Sequence, residues 1–315
     1  MRRIKLAALP GLSIEHRRFP ELTYACANDP RWKRWFIARM ETLSGRGFFA
    51  KRYDIWREAI RAGKPAMGSM LDLLNIRLSV NGHLPMPQEL PDTPLVIVAN
   101  HPFGIGDGVA ILSLAERMGR PFRVLINNEL MKVPEIGPYA LPISFEETRE
   151  ATKLNLETRR EAIRLLNEGV TIIAFPSGGV ATATKGFGKA EDLPWKRFPA
   201  KLIQAAGASV LPVFFEGQCG RSFHLASRFS LTLRTALLIR EFRRLAGREI
   251  RAHVGDILPA GELAKIGDRH ELTCHLYDRV FSLAPGIRER PVPSWQRPLP
   301  AARKAEARMD DRIAA

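Results

Sequence analysis

The sequence predicts an α/β protein: a mixed, largely parallel sheet flanked by helices, preceded by N-terminal basic amphipathic helices. Three observations predict it. Short, largely apolar runs recur from residue 95 to residue 217, beginning with the continuous LVIVA, as expected of buried strands. Helix-length segments alternate with them, which is the order of a sheet covered on both sides. A 45% hydrophobic fraction over 315 residues supplies enough apolar surface for a large core.

The elements follow in chain order. Residues 1–30 read as loop and short pieces. From Pro30 to about Gly82 the reading is helical: RWKRWFIARMETL, KRYDIWREAIRAG and PAMGSMLDLLNIRLSV. These segments mix Trp32, Trp35, Phe36, Phe48, Phe49 and Trp56 with many Lys and Arg. Such helices suit a lipid interface, or they lay an apolar side on the main domain. LVIVAN (95–100) reads as a strand and Asp107 to Met118 as a helix. FRVLIN (122–127) and LPISF (141–145) are the next strands.

A long helix spans Thr148 to Glu168, with Gly169 just past its end. VTIIAFP (170–176), a helix around Pro199–Ala206 and SVLPVFFEG (209–217) continue the alternation. A helix from Arg234 to Leu245, the strand EIRAHVG and a helix over about Gly261–Leu283 complete it. The expected organisation is a membrane-associating helical region at 1–82, an α/β domain at 83–283 and a flexible basic Pro-rich tail at 284–315.

A formal net charge of +15 implies an anionic partner, either nucleic acid or an anionic membrane surface. Cys26, Cys219 and Cys274 are widely spaced and fit neither a zinc cluster nor a disulfide framework. No metal or bound cofactor is expected. No run of about eighteen apolar residues occurs, so contact with a membrane is expected from one side.

Asn100 to Gly108, reading NHPFGIGDG, is the segment with chemistry in it. A buried strand delivers His101 to the end of the sheet, where α/β proteins place ligands. Glycines let the backbone turn sharply and approach a ligand closely. Asp107 then opens a helix. Its carboxylate either caps that helix or bonds one nitrogen of His101, leaving the other free to take a proton from a hydroxyl.

Three blocks in order resemble the PlsC-type glycerolipid and lysophospholipid acyltransferases. They are AN-His101-PFGIG-Asp107-G, AFPSGG (174–179) and VLPVFFEGQ (210–218). The resemblance covers roughly residues 90–258 and includes the haemolysin-like and lyso-ornithine-lipid branches. It implies that His101 is the general base on a lipid hydroxyl, oriented by Asp107. The hydroxyl would attack the thioester of acyl-CoA or an acyl carrier protein. Phe103, Gly104, Gly106, Phe175, Pro176, Ser177, Gly178 and Gly179 are expected around the substrates.

The chain departs from the family's pattern in two places. Five residues, not four, separate His101 from Asp107. The second block has Ser177-Gly178-Gly179 where the family has glutamate, glycine and an arginine further on. Lys185 or Arg149 could supply the missing cation. Glu146 and Glu147 could instead face an amine on an aminolipid acceptor, or simply favour the start of the long helix. Two other readings stay open: a basic membrane- or nucleic-acid-binding protein without catalysis, and a serine hydrolase using Ser177. The resemblance implies lipid and anionic-membrane partners, no nucleic acid, and a peripheral place on the cytoplasmic side of a membrane.

Overall fold

The computed structural model describes residues 45–128, 134–144, 146, 148–183, 186–229, 231–286 and 293–296, with isolated positions from 30 to 39. The segment RWKRWFIARMETL falls largely outside them, as do residues 1–29, Cys26, Phe145, Glu147, Lys185 and the tail beyond 296.

The elements are α1 (Arg46–Arg61), α2 (Ala66–Leu73), β1 (Arg77–Asn81), β2 (Leu95–Ala99) and α3 (Ile105–Met118). They continue with β3 (Phe122–Asn127), β4 (Ala140–Ile143), α4 (Arg149–Asn167), β5 (Thr171–Ala174) and α5 (Phe198–Ala206). The last are β6 (Ser209–Phe215), α6 (Arg221–Phe229), α7 (Leu231–Leu245), β7 (Glu249–Val254), α8 (Ala260–Leu263) and α9 (Arg269–Phe281). The seven strands form one sheet in the order β1-β7-β6-β2-β5-β3-β4. Every pairing is parallel except β6 with β7. The sheet is therefore mixed and largely parallel, as the sequence predicts.

Side chains alternate across the strands and feed two cores. Leu95, Ile97 and Ala99 of β2 face one layer, with Ile111 and Leu114 of α3. Val96 and Val98 face the other, with Leu166 of α4, Leu202 of α5 and Leu276 of α9. The chain leaves β2 through α3 and passes over β5 to reach β3. It leaves β5 through α5, on the opposite face, and passes over β2 to reach β6. Opposite departures of this kind mark the carboxyl ends of β2 and β5 as the switch point where open α/β sheets bind ligands.

The N-terminal helices partly join this core. Tyr53 and Trp56 of α1 are buried, and the Trp56 indole donates to the Ala66 carbonyl at 2.7 Å. Phe49 stacks on Phe242 of α7, with centroids 5.2 Å apart. Trp32 and Trp35 stay well exposed at 71% and 65%. Packing thus claims the α1 aromatics and leaves the two tryptophans exposed, the Arg39 guanidinium lying 5.8 Å from the Trp35 ring centre. At the start of α2, the amides of Met67 and Gly68 each donate to the Glu116 carboxylate of α3 at 2.9 Å.

The structure corrects three element boundaries. The helix read over 65–80 stops at Leu73, and Asn75 turns left-handed (φ 51°). The chain then forms β1, paired in parallel with β7. The helix from Arg234 begins at Leu231 and is preceded by a separate helix, α6. The last predicted helix is two, because Asp268 starts α9 afresh by accepting the amides of His270 and Glu271.

Candidate active site

Asn100 ends β2 and extends its pairing with β6 through its side chain. Its amide donates to the Phe215 carbonyl at 2.9 Å and accepts the Phe215 amide at 2.7 Å. These bonds hold the next residue, His101, at the carboxyl end of β2. The carbonyl of His101 accepts the Ala181 amide at 2.8 Å. Its amide donates to Asp192 Oδ1 at 3.2 Å.

The His101 ring lies against Phe175, the residue after β5, with centroids 4.2 Å apart. Its Nδ1 is 2.9 Å from Asp107 Oδ1. The separation is that of a hydrogen bond, although the angles are not ideal for one. Both atoms are sealed from solvent and neither has another partner, so each depends on the other. Nε2 makes no hydrogen bond to the described residues, and 17% of the side chain remains exposed. One face of the imidazole is therefore held and its far nitrogen is available.

Asp107 is fully buried in the first turn of α3. Its Oδ2 accepts the Phe103 amide at 2.7 Å, which ties the loop between His101 and Asp107 to the helix. The structure corrects the capping reading: α3 starts at Ile105 behind Gly104, which has no side-chain cap, so Asp107 lies inside the first turn and its two oxygens serve the Phe103 amide and the His101 ring. The five intervening residues fit because Gly104 adopts a positive φ of 75°. A Cβ on Gly106 would come within 2.2 Å of Leu245. The glycine there serves close packing of the loop on α7 rather than approach to a ligand.

Burial alone would lower the proton affinity of His101. The negative charges of Asp107 and Asp192, and the bond to Asp107, outweigh burial and the opposing charge of Arg234. They hold the imidazole above its usual 6.5. Asp192 is itself pushed up to about 6 by burial, against the hydrogen bonds it accepts from Trp195 and His101.

The other expected residues divide into two groups. Phe103, Gly104, Gly106, Phe175, Pro176, Ser177, Gly178 and Gly179 all lie in the two loops that follow β2 and β5. Ser177 is buried, and its hydroxyl donates to the Gly179 carbonyl at 2.9 Å rather than to His101. Glu146 is not brought to this place. It is exposed beyond β4, the edge strand, with β3 and β5 between it and β2, or roughly 14 Å at one strand spacing each. Arg149, also exposed, begins α4 on the same edge.

Two residues near His101 escape a sequence reading. One is Asp192, whose other oxygen accepts the Trp195 indole at 2.9 Å. The other is Arg234 of α7, half-buried, donating to the Val180 carbonyl at 2.6 Å and without a carboxylate partner among the described residues. Its guanidinium lies 3.6 Å from where a Cβ on Gly179 would sit. Neither belongs to a local motif, since each reaches the loops by tertiary packing.

An open groove of about 590 Å³ lies further along the same loop, lined by Gly186, Phe187, Gly188, Arg221, Ser222 and Leu225. His101 and Asp107 are not in its walls.

A sequence model of the acyltransferase family matches residues 86–283. The chain belongs to the acyltransferase family. The match includes all seven strands but β1, and both loops that carry the site. The acyltransferase is also distantly similar to a crystal structure of the 1-acyl-sn-glycerophosphate (LPA) acyltransferase PlsC from Thermotoga maritima. That similarity has 20% identity and a TM-score of 0.44, over 82% of this acyltransferase and 90% of that chain. No curated protein matches the acyltransferase.

Proposed function

We propose that this acyltransferase moves a fatty acyl group from acyl-CoA or an acyl carrier protein to a hydroxyl of a lysolipid. The observation that carries the reading is the 2.9 Å approach of His101 Nδ1 to the buried Asp107 carboxylate, with Nε2 left unbonded. In this reading Asp107 fixes the ring and balances the charge it acquires. His101 Nε2 takes the proton of the acceptor hydroxyl as its oxygen attacks the thioester carbonyl. The carbon–sulfur bond then breaks, an ester forms, and the proton on His101 goes to the departing thiolate. No protein nucleophile is required, because the thioester is already activated.

The acceptor is a lysophospholipid or a lyso-aminolipid. Arg234, at the Gly178–Gly179 loop, favours an anionic headgroup, since a guanidinium without a carboxylate suits phosphate. The amine-facing role of Glu146 is disfavoured by its place on the far edge of the sheet. The hydrolase reading is disfavoured by the bond that occupies Ser177.

The reading also places the protein peripherally on the cytoplasmic face of a membrane, where acceptor and product reside. Among the described residues no helix is long and apolar enough to cross a membrane.

The test is a transfer screen with purified protein, both donor types and a panel of lysolipids, read by mass spectrometry. Acylated product from the wild type and none from folded His101→Ala is the expected result. Equal product from the two would end the assignment of His101, and no product with any pair would end the reading as a whole.

A further inference from the structure

His101 stands just beyond the last ladder position of β2, so the sheet no longer supplies partners for its backbone. Two groups from outside take over. The Ala181 amide bonds its carbonyl, and Asp192 accepts its amide. Asp192 is in turn anchored. Its second oxygen accepts the indole of Trp195, which is buried against Tyr277 and Phe281 of α9 at centroid distances of 5.2 and 6.1 Å. The backbone of the base is thus tied, through one carboxylate, to the core on the far side of the sheet.

A neutral acceptor would satisfy the same amide. A carboxylate also brings charge. The charged groups facing His101 are Asp107 from α3, Asp192 from the segment before α5, and Arg234 from α7, which acts in the opposite sense.

We propose that Asp192 is a positioning residue for His101, fixing the backbone of the base and placing a second negative charge near its ring. Two consequences follow from that geometry. The base is held while the ring changes charge, because the restraint acts on the main chain and not on a ring nitrogen. The field favours the imidazolium that forms as the acceptor hydroxyl loses its proton. The titration of Asp192 itself, at about 6, places that charge at and above neutral pH and removes it in acid.

The inference rests on the acyl-transfer reading for its catalytic meaning but is tested partly apart from it. The experiment follows the His101 ring by NMR titration in the full chain, alongside pH profiles of kcat and KM. Asp192→Asn keeps an acceptor oxygen and removes the charge. The expected result is a ring midpoint lower by roughly half a unit or more, with kcat reduced roughly tenfold and KM little changed. A folded Asp192→Asn chain with the wild-type ring midpoint would reduce Asp192 to loop closure and overturn the proposal.

If that variant does not fold, Asp192→Glu decides, since it keeps the charge on a longer arm. A reduced kcat with a ring midpoint near wild type supports positioning, and a wild-type kcat overturns it. Should the wild type transfer no acyl group at all, the failure falls on the functional reading. The midpoint shift in Asp192→Asn, or for lack of that variant in Asp192→Ala, then decides the proposal on the ring titration alone.

Discussion

At the scale of single residues, the pairing of His101 with Asp107 makes a signed pH prediction. If His101 is the base, as proposed, it must be neutral to accept a proton, and Asp107 and Asp192 hold its proton affinity above the usual 6.5. Transfer activity should therefore rise with pH through a midpoint above 6.5. Asp107→Asn removes the larger stabilising charge, so the midpoint should move down while the rate falls by roughly 10³-fold or more. An unchanged midpoint in the pH profile of kcat/KM would separate the carboxylate from the base.

The residue scale also shows how much of the site is legible without coordinates. His101 and Asp107 sit in one nine-residue stretch, and Phe175 to Gly179 in another, so local spacing exposes them. Asp192 and Arg234 reach the same place from 91 and 133 positions after His101, through an amide and a carbonyl that bear no sequence signal. The alternation of functions for Asp107 could not be split by sequence either, because only geometry assigns one oxygen to the ring and the other to the Phe103 amide.

At the scale of elements, six of the seven strands were legible, five as largely apolar runs and β7 as an alternation of polar and apolar residues. The missing one, β1, follows α2 without a Gly or Pro between Leu73 and Arg77. Its partner β7 lies about 170 residues later, so its extended form is set by pairing that no local pattern records. The antiparallel step from β6 to β7 was likewise invisible.

The junction of β2 with β6 carries an element-scale prediction. Asn100→Ala would strip partners from the buried amide and carbonyl of Phe215. At about 1–3 kcal/mol for each buried group left unmatched, a loss of roughly 2–6 kcal/mol is expected in urea unfolding. A loss below about 1 kcal/mol would mean that the strands do not need this link. Activity should fall further than the folded fraction, because the same residue seats His101.

At the scale of the whole molecule, a net charge of +15 and the exposed Trp32 and Trp35 predict binding to an anionic bilayer, where the proposed function would find its lipid substrates. Co-sedimentation with anionic vesicles should exceed that with neutral ones and should weaken as salt rises from 50 to about 500 mM. Equal binding to both would remove electrostatics from the picture. The fold class was readable at this scale from alternation alone. The switch point between β2 and β5 was not, because it depends on the order of strands in space and on which face each crossover takes.

Glu116 gives that architecture a mechanical side. It closes the amide end of α2 from a point nine residues along the rod whose own amide end holds Asp107, about 14 Å away. Two helices thus share a single carboxylate, and a Glu116→Gln chain, with a weaker acceptor at that junction, is expected to loosen α2 from the helix that bears Asp107.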